Sequence, residues 1–489
     1  MNYPRTSIYN NKWIAWGLIL LSSCVSLPHD QQTENLLCPP SLETSANNSF
    51  KSSLFVEGEW PETNWWEIFE AHDLNALIAE ALQQNPSLQG IERRIDYAKQ
   101  LATINKARLF PLIFFDANET WEYLSHNGLY RALNPTVPIN PNLIDLTLSF
   151  TYEFDFWGKN YNLYQAALGQ AKTQEAEAAQ VGLIITTSVA QAYFALKTNL
   201  IREQLYEQLV QLRYDLYQLD TLLASQALAS KLPPLLSREQ WLEAEKLLIG
   251  IQEEIAVDKH LMNALLGKGP DSPIELDPSL IKPLKSLSLP CNLSLDLLAR
   301  RPDLMAQIWR VEALAHEVGA AKADFFPSIN LAAFAGVEST LYSLLFHSSS
   351  RTAGLMPAIH LPIFTAGAIR ANIKAKKALF DDAVYTYNEL ILRSAQEVAD
   401  TLVLVQSVYD QQEKQRQIVN DAQERYDLTA LRQQSGLDNL LDNYNYREAL
   451  IYKELEQVNL VYSQYLATIK LIKALGGGYN SPYVPLRAE

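Results

Sequence analysis

Apolar and polar residues alternate along the chain from Ile144 to Phe156. Every even position in this stretch is apolar, and every odd position from Asp145 to Asp155 is polar. A period of two residues predicts a β-strand with one apolar face and one wet face, here over residues 144–157. An ordinary half-buried strand and a strand of a transmembrane barrel both fit this pattern, because a barrel strand needs only about 9–11 residues and alternates between lipid and lumen.

The chain carries the same series of signals twice. Residues 106–111 (KARLFP) recur as residues 322–327 (KADFFP), and residues 85–88 (NPSL) recur as residues 301–304 (RPDL), both 216 positions further on. Each copy predicts a helix, a strand after a proline, a polar loop, a second strand, a glycine and a pair of helices, which is an internal repeat. The four predicted strands are residues 112–123, 144–157, 328–339 and 352–364.

Long helices follow the second strand of each copy. No proline lies between Pro362 and Pro482, and one glycine, Gly436, interrupts the helical pattern. About 65 residues before that glycine would form a rod near 100 Å long, at about 1.5 Å per residue. Six leucines of the first copy step 4, 3, 4, 3 and 4 residues apart, which predicts the core seam of a coiled hairpin. They are Leu205, Leu209, Leu212, Leu216, Leu219 and Leu223. The hairpins are predicted to turn at residues 232–236 and 437–441.

Four amphipathic strands cannot close a barrel alone, since the smallest transmembrane barrels have about eight strands. An open edge in lipid would leave backbone N–H and C=O groups without partners, each at a cost of roughly several kcal/mol. After the N-terminus no run of about 18 apolar residues offers a helical span instead. Several copies must then assemble in the membrane, and the strand count does not choose between a dimer and a trimer.

The N-terminus has the features of a secretory signal. Arg5 and Lys12 precede a short apolar core, which ends in small residues and a cysteine at Leu21-Ser22-Ser23-Cys24. This ending resembles the lipobox of bacterial lipoproteins, which implies acylation of Cys24 and anchoring at about 0.8 kcal/mol per buried CH2 group. A plain signal cleavage nearby is the alternative. Val25 follows, rather than the aspartate that resembles an inner-membrane retention signal, and this favours the outer membrane.

These signals divide the chain into six segments. Residues 25–59 are rich in Ser, Asn, Gln and Pro and show little periodicity, so they are interpreted as a tether. The predicted organisation is a lipoprotein signal peptide at 1–23, an N-terminal tether at 24–60, a first repeat at 61–266, a linker at 267–297, a second repeat at 298–475 and a tail at 476–489.

Composition and charge exclude several classes of function. The formal net charge is -15 and no block of lysine and arginine is present, which argues against a nucleic-acid partner. The three cysteines are too scattered for a disulfide framework or a zinc site, and the seven histidines have no metal-ligand spacing. The sequence has no G-x-G-x-x-G, P-loop or nucleophile elbow. We therefore expect no enzymatic activity, no metal and no cofactor, apart from the covalent lipid on Cys24.

Several motifs of the second copy stand out. They are residues 298–303 (LARRPD), 318–323 (VGAAKA), 325–329 (FFPSI) and 362–364 (PIF). These motifs closely resemble those of the TolC-type outer-membrane efflux factors, in their lipoprotein (NodT-like) branch, and the resemblance covers about residues 55–475. Within the first motif, Arg300 and Arg301 could bind an anion, but a salt bridge at a helix start is the favoured interpretation.

The resemblance implies an α+β membrane protein: a trimeric 12-stranded β-barrel, with four strands per chain, continued by a long coiled α-helical barrel. It further implies an outer-membrane channel of a tripartite efflux system, lipid-anchored and extending into the periplasm. Its partners would be two further copies, outer-membrane lipid, a periplasmic adaptor (membrane fusion protein) and an inner-membrane pump. A channel for type I protein secretion, and a lipid-tethered periplasmic coiled-coil adaptor without a pore, remain alternatives. The repeated strand pairs argue against the adaptor, which needs one hairpin only.

The same resemblance implies a periplasmic gate at the turn of the second hairpin. The family narrows its tunnel there with acidic residues, and Asp438 and Asp442 are the positions that match, four apart and expected on one helix face. Asp438 could instead only cap the helix, an alternative that is weaker for Asp442 because it is expected past the first turn. Arg432 and Tyr426 do not align cleanly with the family's latch residues, so their role stays open.

Overall fold

The computed structural model describes residues 35–52, 54–278, 283, 284, 286–290, 293 and 299–481. The predicted signal peptide, and Cys24 with it, lies outside the described residues. The strands of the described part are β1 (Phe55–Glu57), β2 (Leu112–Trp121), β3 (Asn142–Phe154), β4 (Leu287–Leu289), β5 (Ser328–Ser339) and β6 (Arg351–His360). Its α-helices are α1 (Glu43–Ser49), α2 (His72–Gln84), α3 (Pro86–Ala107), α4 (Leu129–Leu133), α5 (Lys159–Ser225), α6 (Leu232–Leu265), α7 (Pro302–Ala323), α8 (Ala368–Gln434) and α9 (Leu440–Ala474).

Two strands from each copy form one antiparallel sheet in the order β2-β3-β5-β6. Phe150 of β3 lies at its centre, paired with Ile113 of β2 on one side and Ala333 of β5 on the other. Ala333 in turn pairs with Leu355 of β6. Within one chain, β2 and β6 are therefore the edges of an open sheet. A separate pair, β1 and β4, is parallel.

The strand β3 ends at Phe154, so the prediction that it reaches Trp157 is wrong. The reason is Asp155, whose carboxylate caps the helix that follows. Its Oδ1 accepts a hydrogen bond from the backbone N–H of Asn160 at 3.0 Å, and its Oδ2 accepts one from Tyr161 at 2.7 Å. The sequence pattern placed Asp155 among the polar residues of the strand, whereas it belongs to the start of α5.

The other strand ends also differ from their predicted positions by a few residues. β2 stops at Trp121 rather than at residue 123, because the opposite segment there carries Pro141, which accepts a bond from Glu122 but cannot donate one back. β6 ends at His360 rather than at residue 364, because Pro362 has no backbone N–H to continue the ladder. The bounds predicted for β5, the alanine-rich strand, are correct.

The internal repeat is confirmed by the lengths and spacing of the helices. α3 and α7 have 22 residues each and begin 216 positions apart, both on a proline. α5 and α8 have 67 residues each and begin 209 positions apart. The spacing changes between the two strands of each copy, where the first copy has the longer connection (residues 122–141 against 340–350).

The chain divides into two compact units, and each unit takes residues from both copies. Of the described residues, unit 1 comprises 35–36, 96–172 and 308–385, and it contains the four-stranded sheet. Unit 2 comprises the described residues within 37–95, 173–307 and 386–481, and it contains most of both helical hairpins. Sequence reading gave the repeat but not this division, because the long helices contribute residues to both units.

The segment interpreted as a tether is packed from Leu42 onward, so that interpretation is wrong for residues 42–57. Leu42, Ala46, Leu54 and Phe55 are buried in a core of unit 2 together with residues of α8 and α9. β1 pairs with β4 of the linker in addition. Average composition concealed this short apolar set, because polar residues surround it.

Four of the six seam leucines of α5 are buried as predicted, whereas Leu219 and Leu223 are half-buried in the single chain, and the packing partners come from both hairpins. Leu205, Leu209 and Leu212 form a core with Ala244 of α6 and with two residues of α9, Ile451 and Leu455. A heptad pattern states which face of a helix is buried and does not state what covers it. The seam therefore joins the first hairpin to the second.

Candidate functional site

One face of the four-stranded sheet is apolar across all four strands. Many of its side chains are exposed in the single chain, including Phe115 at 67%, Leu355 at 69% and Ile359 at 72%. The apolar residues in register on this face are Ile113, Phe115 and Ala117; Ile144, Leu146, Leu148, Phe150, Tyr152 and Phe154; Ile329, Leu331, Ala333, Ala335 and Val337; Ala353, Leu355, Pro357 and Ile359. Glu119, Ser339 and Arg351 share the face at the end of the sheet where the strand connections 122–141 and 340–350 lie. An exposed apolar face of this width needs an apolar neighbour. It matches the outward face of a transmembrane barrel.

The opposite face carries the polar residues of the alternation. Asp145 lies between Asn118 of β2 and Glu338 of β5. Ser149 Oγ donates to Asp116 Oδ2 of the neighbouring strand at 2.8 Å. Residues that bond to one another across strands in this way line a face suited to water. We call this the wet face of the sheet, and the sequence prediction of one apolar and one wet face is confirmed.

Among the described residues, one helix is long and apolar enough to count as a candidate span. An 18-residue window of α5 has a mean hydropathy of 1.3, and 56% of that window is buried. Core helices of soluble proteins have the same character, so this is weak support for a helical span. The sheet is the stronger candidate for crossing a bilayer.

The turn of the second hairpin begins where α8 ends. Leu437 N–H donates to the carbonyl of Arg432 at 2.9 Å and Gly436 N–H donates to that of Gln433 at 3.0 Å, which is the Schellman arrangement. Gly436 has a φ of 72°, in the left-handed region that favours glycine. Asn439 then caps α9, because its Oδ1 accepts from the N–H of Asp442 at 2.8 Å.

Asp438 lies in this turn, before α9 begins. The expectation that Asp438 and Asp442 share one helix face is therefore wrong, and so is the alternative that Asp438 caps the helix, because Asn439 has that role. Arg432 binds the Asp438 carboxylate through two parallel bonds, Nε to Oδ2 at 2.7 Å and Nη2 to Oδ1 at 2.8 Å.

The bonds from Arg432 lower the pKa of Asp438 below its ordinary value. The stabilisation that this pair contributes is therefore complete above the ordinary aspartate pKa, and it is lost only as the pH falls through the lowered value. At neutral pH the turn holds Asp438 ionised and already paired.

Asp442 lies in the first turn of α9, so the expectation that it lies past that turn is also wrong. Its backbone N–H is satisfied by Asn439, and its side chain is partly exposed near the positive end of the helix dipole. The two acidic residues therefore differ: Asp438 is neutralised by an arginine and Asp442 stands at a helix N-terminus.

The two residues left open as latch partners have different roles in one chain. Arg432 is the partner of Asp438. Tyr426 lies beneath Arg447, whose guanidinium carbon is 5.6 Å from the ring centroid, a cation–π distance. Arg447 also donates to Gln208 Oε1 of α5 at 2.5 Å, so Tyr426 takes part in a contact between the two hairpins.

Two features of this turn were missed by sequence reasoning. Asn439 as the helix cap could have been found, since Asn439 and the acidic Asp442 three residues later have the spacing of a capping motif. The pair of Arg432 and Asp438 had no such signal, because a contact across a turn of unpredicted geometry has no fixed sequence spacing.

The arginine pair of the LARRPD motif divides into two roles. Arg301 is buried, and its guanidinium binds both oxygens of Asp303, Glu397 Oε2 at 2.9 Å and the carbonyl of Ala474 at 3.1 Å. Burial by itself would lower the pKa of this guanidinium. The hydrogen bonds and negative charges of Asp303 and Glu397 outweigh that effect, so the pKa of Arg301 is raised. The predicted salt bridge at a helix start is confirmed for Arg301. Arg300 instead lies over the ring of Trp60, at 5.8 Å.

Two described histidines take part in polar contacts within the chain. His316 Nδ1 lies 2.9 Å from Asn162 Oδ1, and His347 Nδ1 lies 2.9 Å from Ser349 Oγ. Within the described ranges, no group of three His, Cys, Asp or Glu side chains could hold a metal ion.

Comparison with known proteins gives consistent matches over nearly the whole chain. A family model described as outer membrane efflux protein matches residues 77–268 and 293–477, once for each copy. The multidrug resistance outer membrane protein MdtP of Escherichia coli (strain K12) is 26% identical over 468 residues, which cover 94% of this chain and 95% of that protein.

Solved structures of outer-membrane proteins share the fold. The outer membrane protein VceC from Vibrio cholerae has a TM-score of 0.75 and 31% identity, and the match covers 86% of this chain and 100% of VceC. The outer-membrane channel OprN has a TM-score of 0.80 at 22% identity, and the match covers 93% of this chain and 99% of OprN. The predicted channel fold with its internal repeat is confirmed.

Proposed function

Because the chain belongs to the outer membrane efflux protein family, and is an outer-membrane efflux channel component, we propose that three copies form a duct that exports small molecules across the outer membrane. The name of MdtP, a multidrug resistance outer membrane protein, supports small organic molecules as the cargo. The duct is passive and has no enzymatic activity of its own. Energy comes from an inner-membrane pump, which a periplasmic adaptor joins to the duct.

The observation that carries this proposal is the open sheet with one apolar face. In one chain, the edges β2 and β6 leave backbone groups without a partner strand. In lipid these groups must be satisfied, and pairing of β6 with β2 of the next copy satisfies them while all strands remain antiparallel. Three copies supply twelve strands, with the apolar faces toward lipid and the wet faces toward a lumen.

A lipid anchor at Cys24 completes the membrane attachment. The support for it is the Leu21-Ser22-Ser23-Cys24 ending of the signal segment. Three acyl chains on the mature N-terminus would hold each copy at the membrane, at about 0.8 kcal/mol per buried CH2 group. The anchor adds to the attachment that the barrel already provides.

A gate at the turn of the second hairpin controls the periplasmic entrance. Three copies of Asp438 and Asp442 around one axis would bring six carboxylates together, and Arg432 would offset three of them. The remaining negative field favours cations over a range of about 10 Å at 0.1 M salt. Opening is a shift between two packings of the same coils, driven by the adaptor.

Native mass spectrometry of the full-length protein, purified in mild detergent from outer membranes, tests assembly and anchor together. We expect three copies, each beginning at Cys24 and carrying three acyl chains. Cys24→Ser is the matched control: it should lose the lipid mass and still assemble, because the strands provide the interface. A dimer or a monomer would overturn the duct, and chains without lipid mass would overturn the anchor.

A further inference from the structure

The wet face of the sheet contains an apolar band that the alternation alone does not explain. Phe114 of β2, Ser149 of β3 and Phe334 of β5 lie in one row across the strands. The next row contains Leu112, Thr151, Ala332 and Met356. Two phenyl rings and two long aliphatic side chains therefore occur on a face that is otherwise polar. We call Leu112, Phe114, Phe334 and Met356 the apolar band.

The side chains of this band are accessible in the single chain. Phe114 is 52% exposed and Met356 is 53% exposed. The ring of Phe334 lies over Gly354, the next residue of its row on β6, where an added Cβ would come within 2.3 Å of Phe334 Cε1. Gly354 thus leaves room for the ring to lie flat along the wet face, which broadens the apolar surface instead of narrowing the lumen.

Carboxylates lie on both sides of the band. Asp116 is one row beyond Phe114 on the same strand, and Glu153 is one row beyond Thr151 in the other direction. Rows on one face are two residues apart, so each carboxylate is about 7 Å from the band along the strand. Asp145 and Glu338 continue the negative charge, and the strand residues of this face include no lysine or arginine.

The distance between the apolar band and its flanking carboxylates matches the size of a small amphipathic cation. A ring or short alkyl group placed on the band is about one row from a carboxylate, and the faces of Phe114 and Phe334 attract a cation as well. An anion with the same ring would meet four carboxylates of each copy instead. The carboxylates therefore favour cations over anions, and the apolar band favours cations that carry a ring or an alkyl group.

We propose that the wet face is a contact surface for amphipathic organic cations, which the band and its flanking carboxylates hold during passage. This inference rests on the proposed function, because only a closed barrel turns the wet face into a lumen. In the trimer, three bands at one level supply six phenyl rings around the path. The cargo class is then an aromatic or alkyl ammonium compound rather than an inorganic ion.

Potassium conductance of the reconstituted full-length protein in planar bilayers tests this. The probe is benzyltrimethylammonium, compared with tetramethylammonium, which lacks the ring, and benzenesulfonate, which has the opposite charge. We expect benzyltrimethylammonium to reduce the conductance at the lowest concentration, because a bound cation repels potassium. Phe114→Ala combined with Phe334→Ala should raise the half-effect concentration roughly tenfold.

Phe115→Ala is the matched control, since Phe115 neighbours Phe114 on β2 and lies on the apolar face. It should leave the half-effect concentration unchanged, whereas Asp116→Asn should raise it. Equal effects of the two ammonium ions, or an unchanged value in the double alanine variant with normal potassium conductance, would overturn the contact surface and leave the duct standing. If the purified chains do not assemble into trimers, both proposals fail.

Discussion

At the scale of single residues, the two aspartates of the second hairpin turn should contribute unequally to ion selectivity. Asp438 is bound by Arg432, whereas Asp442 stands at the start of α9. We predict that Asp442→Asn lowers cation selectivity more than Asp438→Asn does, and that Arg432→Gln raises it, because three offsetting charges are removed from the trimer. Reversal potentials in a potassium chloride gradient measure this. Unchanged selectivity when both aspartates are replaced would place the constriction elsewhere.

Of Arg300 and Arg301 in the LARRPD motif, Arg301 contributes more to the stability of the fold. It is buried, and its removal leaves Asp303 and the carbonyl of Ala474 without their partner. We predict that Arg301→Ala costs about 3 kcal/mol, as for other broken buried ion pairs. Arg300→Ala serves as the control and should cost less than about 1 kcal/mol, since Arg300 makes one cation–π contact with Trp60. Thermal unfolding of the two variants in one detergent compares them, and equal losses would contradict this assignment.

The first hairpin turns between Ser225 and Leu232, so the prediction of a turn at residues 232–236 is wrong: those residues begin α6, because proline is well suited to the first turn of a helix. Corresponding positions of the two hairpin turns carry glycine in one copy and alanine in the other. Gly436 and Ala227 occupy the same left-handed position, with φ values of 72° and 61°. No atom lies within 4 Å of a Cβ added at Gly436, so only the backbone conformation opposes alanine there. We predict that Gly436→Ala destabilises its turn by about 1 kcal/mol and that Ala227→Gly stabilises the other.

Hydrogen exchange of the amides at each turn reads these local changes. Exchange should become faster around residue 436 in the first variant and slower around residue 227 in the second. Changes of the same sign in both turns would show that backbone conformation does not control them.

At the scale of elements, the two faces of β3 differ in how well they tolerate a charged side chain. Phe150 lies on the apolar face and Thr151, the next residue, on the wet face. We predict that Phe150→Arg impairs insertion, at about 2–4 kcal/mol near the middle of the bilayer, and that Thr151→Arg does not. The amount of trimer recovered from outer membranes measures insertion. Equal recovery of both variants would remove the membrane assignment of this face.

Sequence reading predicted the elements well where periodicity decided them, and less well where one side chain decided them. The alternation in β3 and the proline before β5 gave the strands and both faces. The end of β3 depended on Asp155, which is polar in the pattern but satisfies helix N–H groups in the structure. A two-residue period cannot distinguish a carboxylate that faces water from one that caps the next helix.

The packing partners of the helices could not be predicted from the sequence for a similar reason. The leucine seam of α5 was predicted to be buried, and it is from Leu205 to Leu216, but Ile451 and Leu455 of the second hairpin cover part of it. The turn residues show the same limit, since Asp438 and Asp442 were found by their pattern whereas the pairing of Asp438 with Arg432 was not. Contacts between segments distant in sequence depend on geometry that no local pattern contains.

At the scale of the whole molecule, negative charge is a consistent feature. The chain has a formal net charge of -15, the wet face has carboxylates in several rows, and the hairpin turn adds two more. Low-dielectric walls strengthen such a field inside a narrow passage. The proposed duct is therefore selective for cations at the turn and along the barrel, and the apolar band adds a preference for hydrocarbon on the cation.

The most direct test of the duct is thiol accessibility along β3 in conducting trimers. Single cysteines would be placed by Leu148→Cys, Ser149→Cys, Phe150→Cys and Thr151→Cys, in a chain where Cys38 and Cys291 are serine and Cys24 is retained. The measurement is the single-channel current before and after addition of a cationic, membrane-impermeant thiol reagent. The current should fall for cysteines at 149 and 151, which face the lumen, and stay constant for cysteines at 148 and 150, which face lipid. Modification without this alternation, or no change in current at 149 and 151, would contradict it.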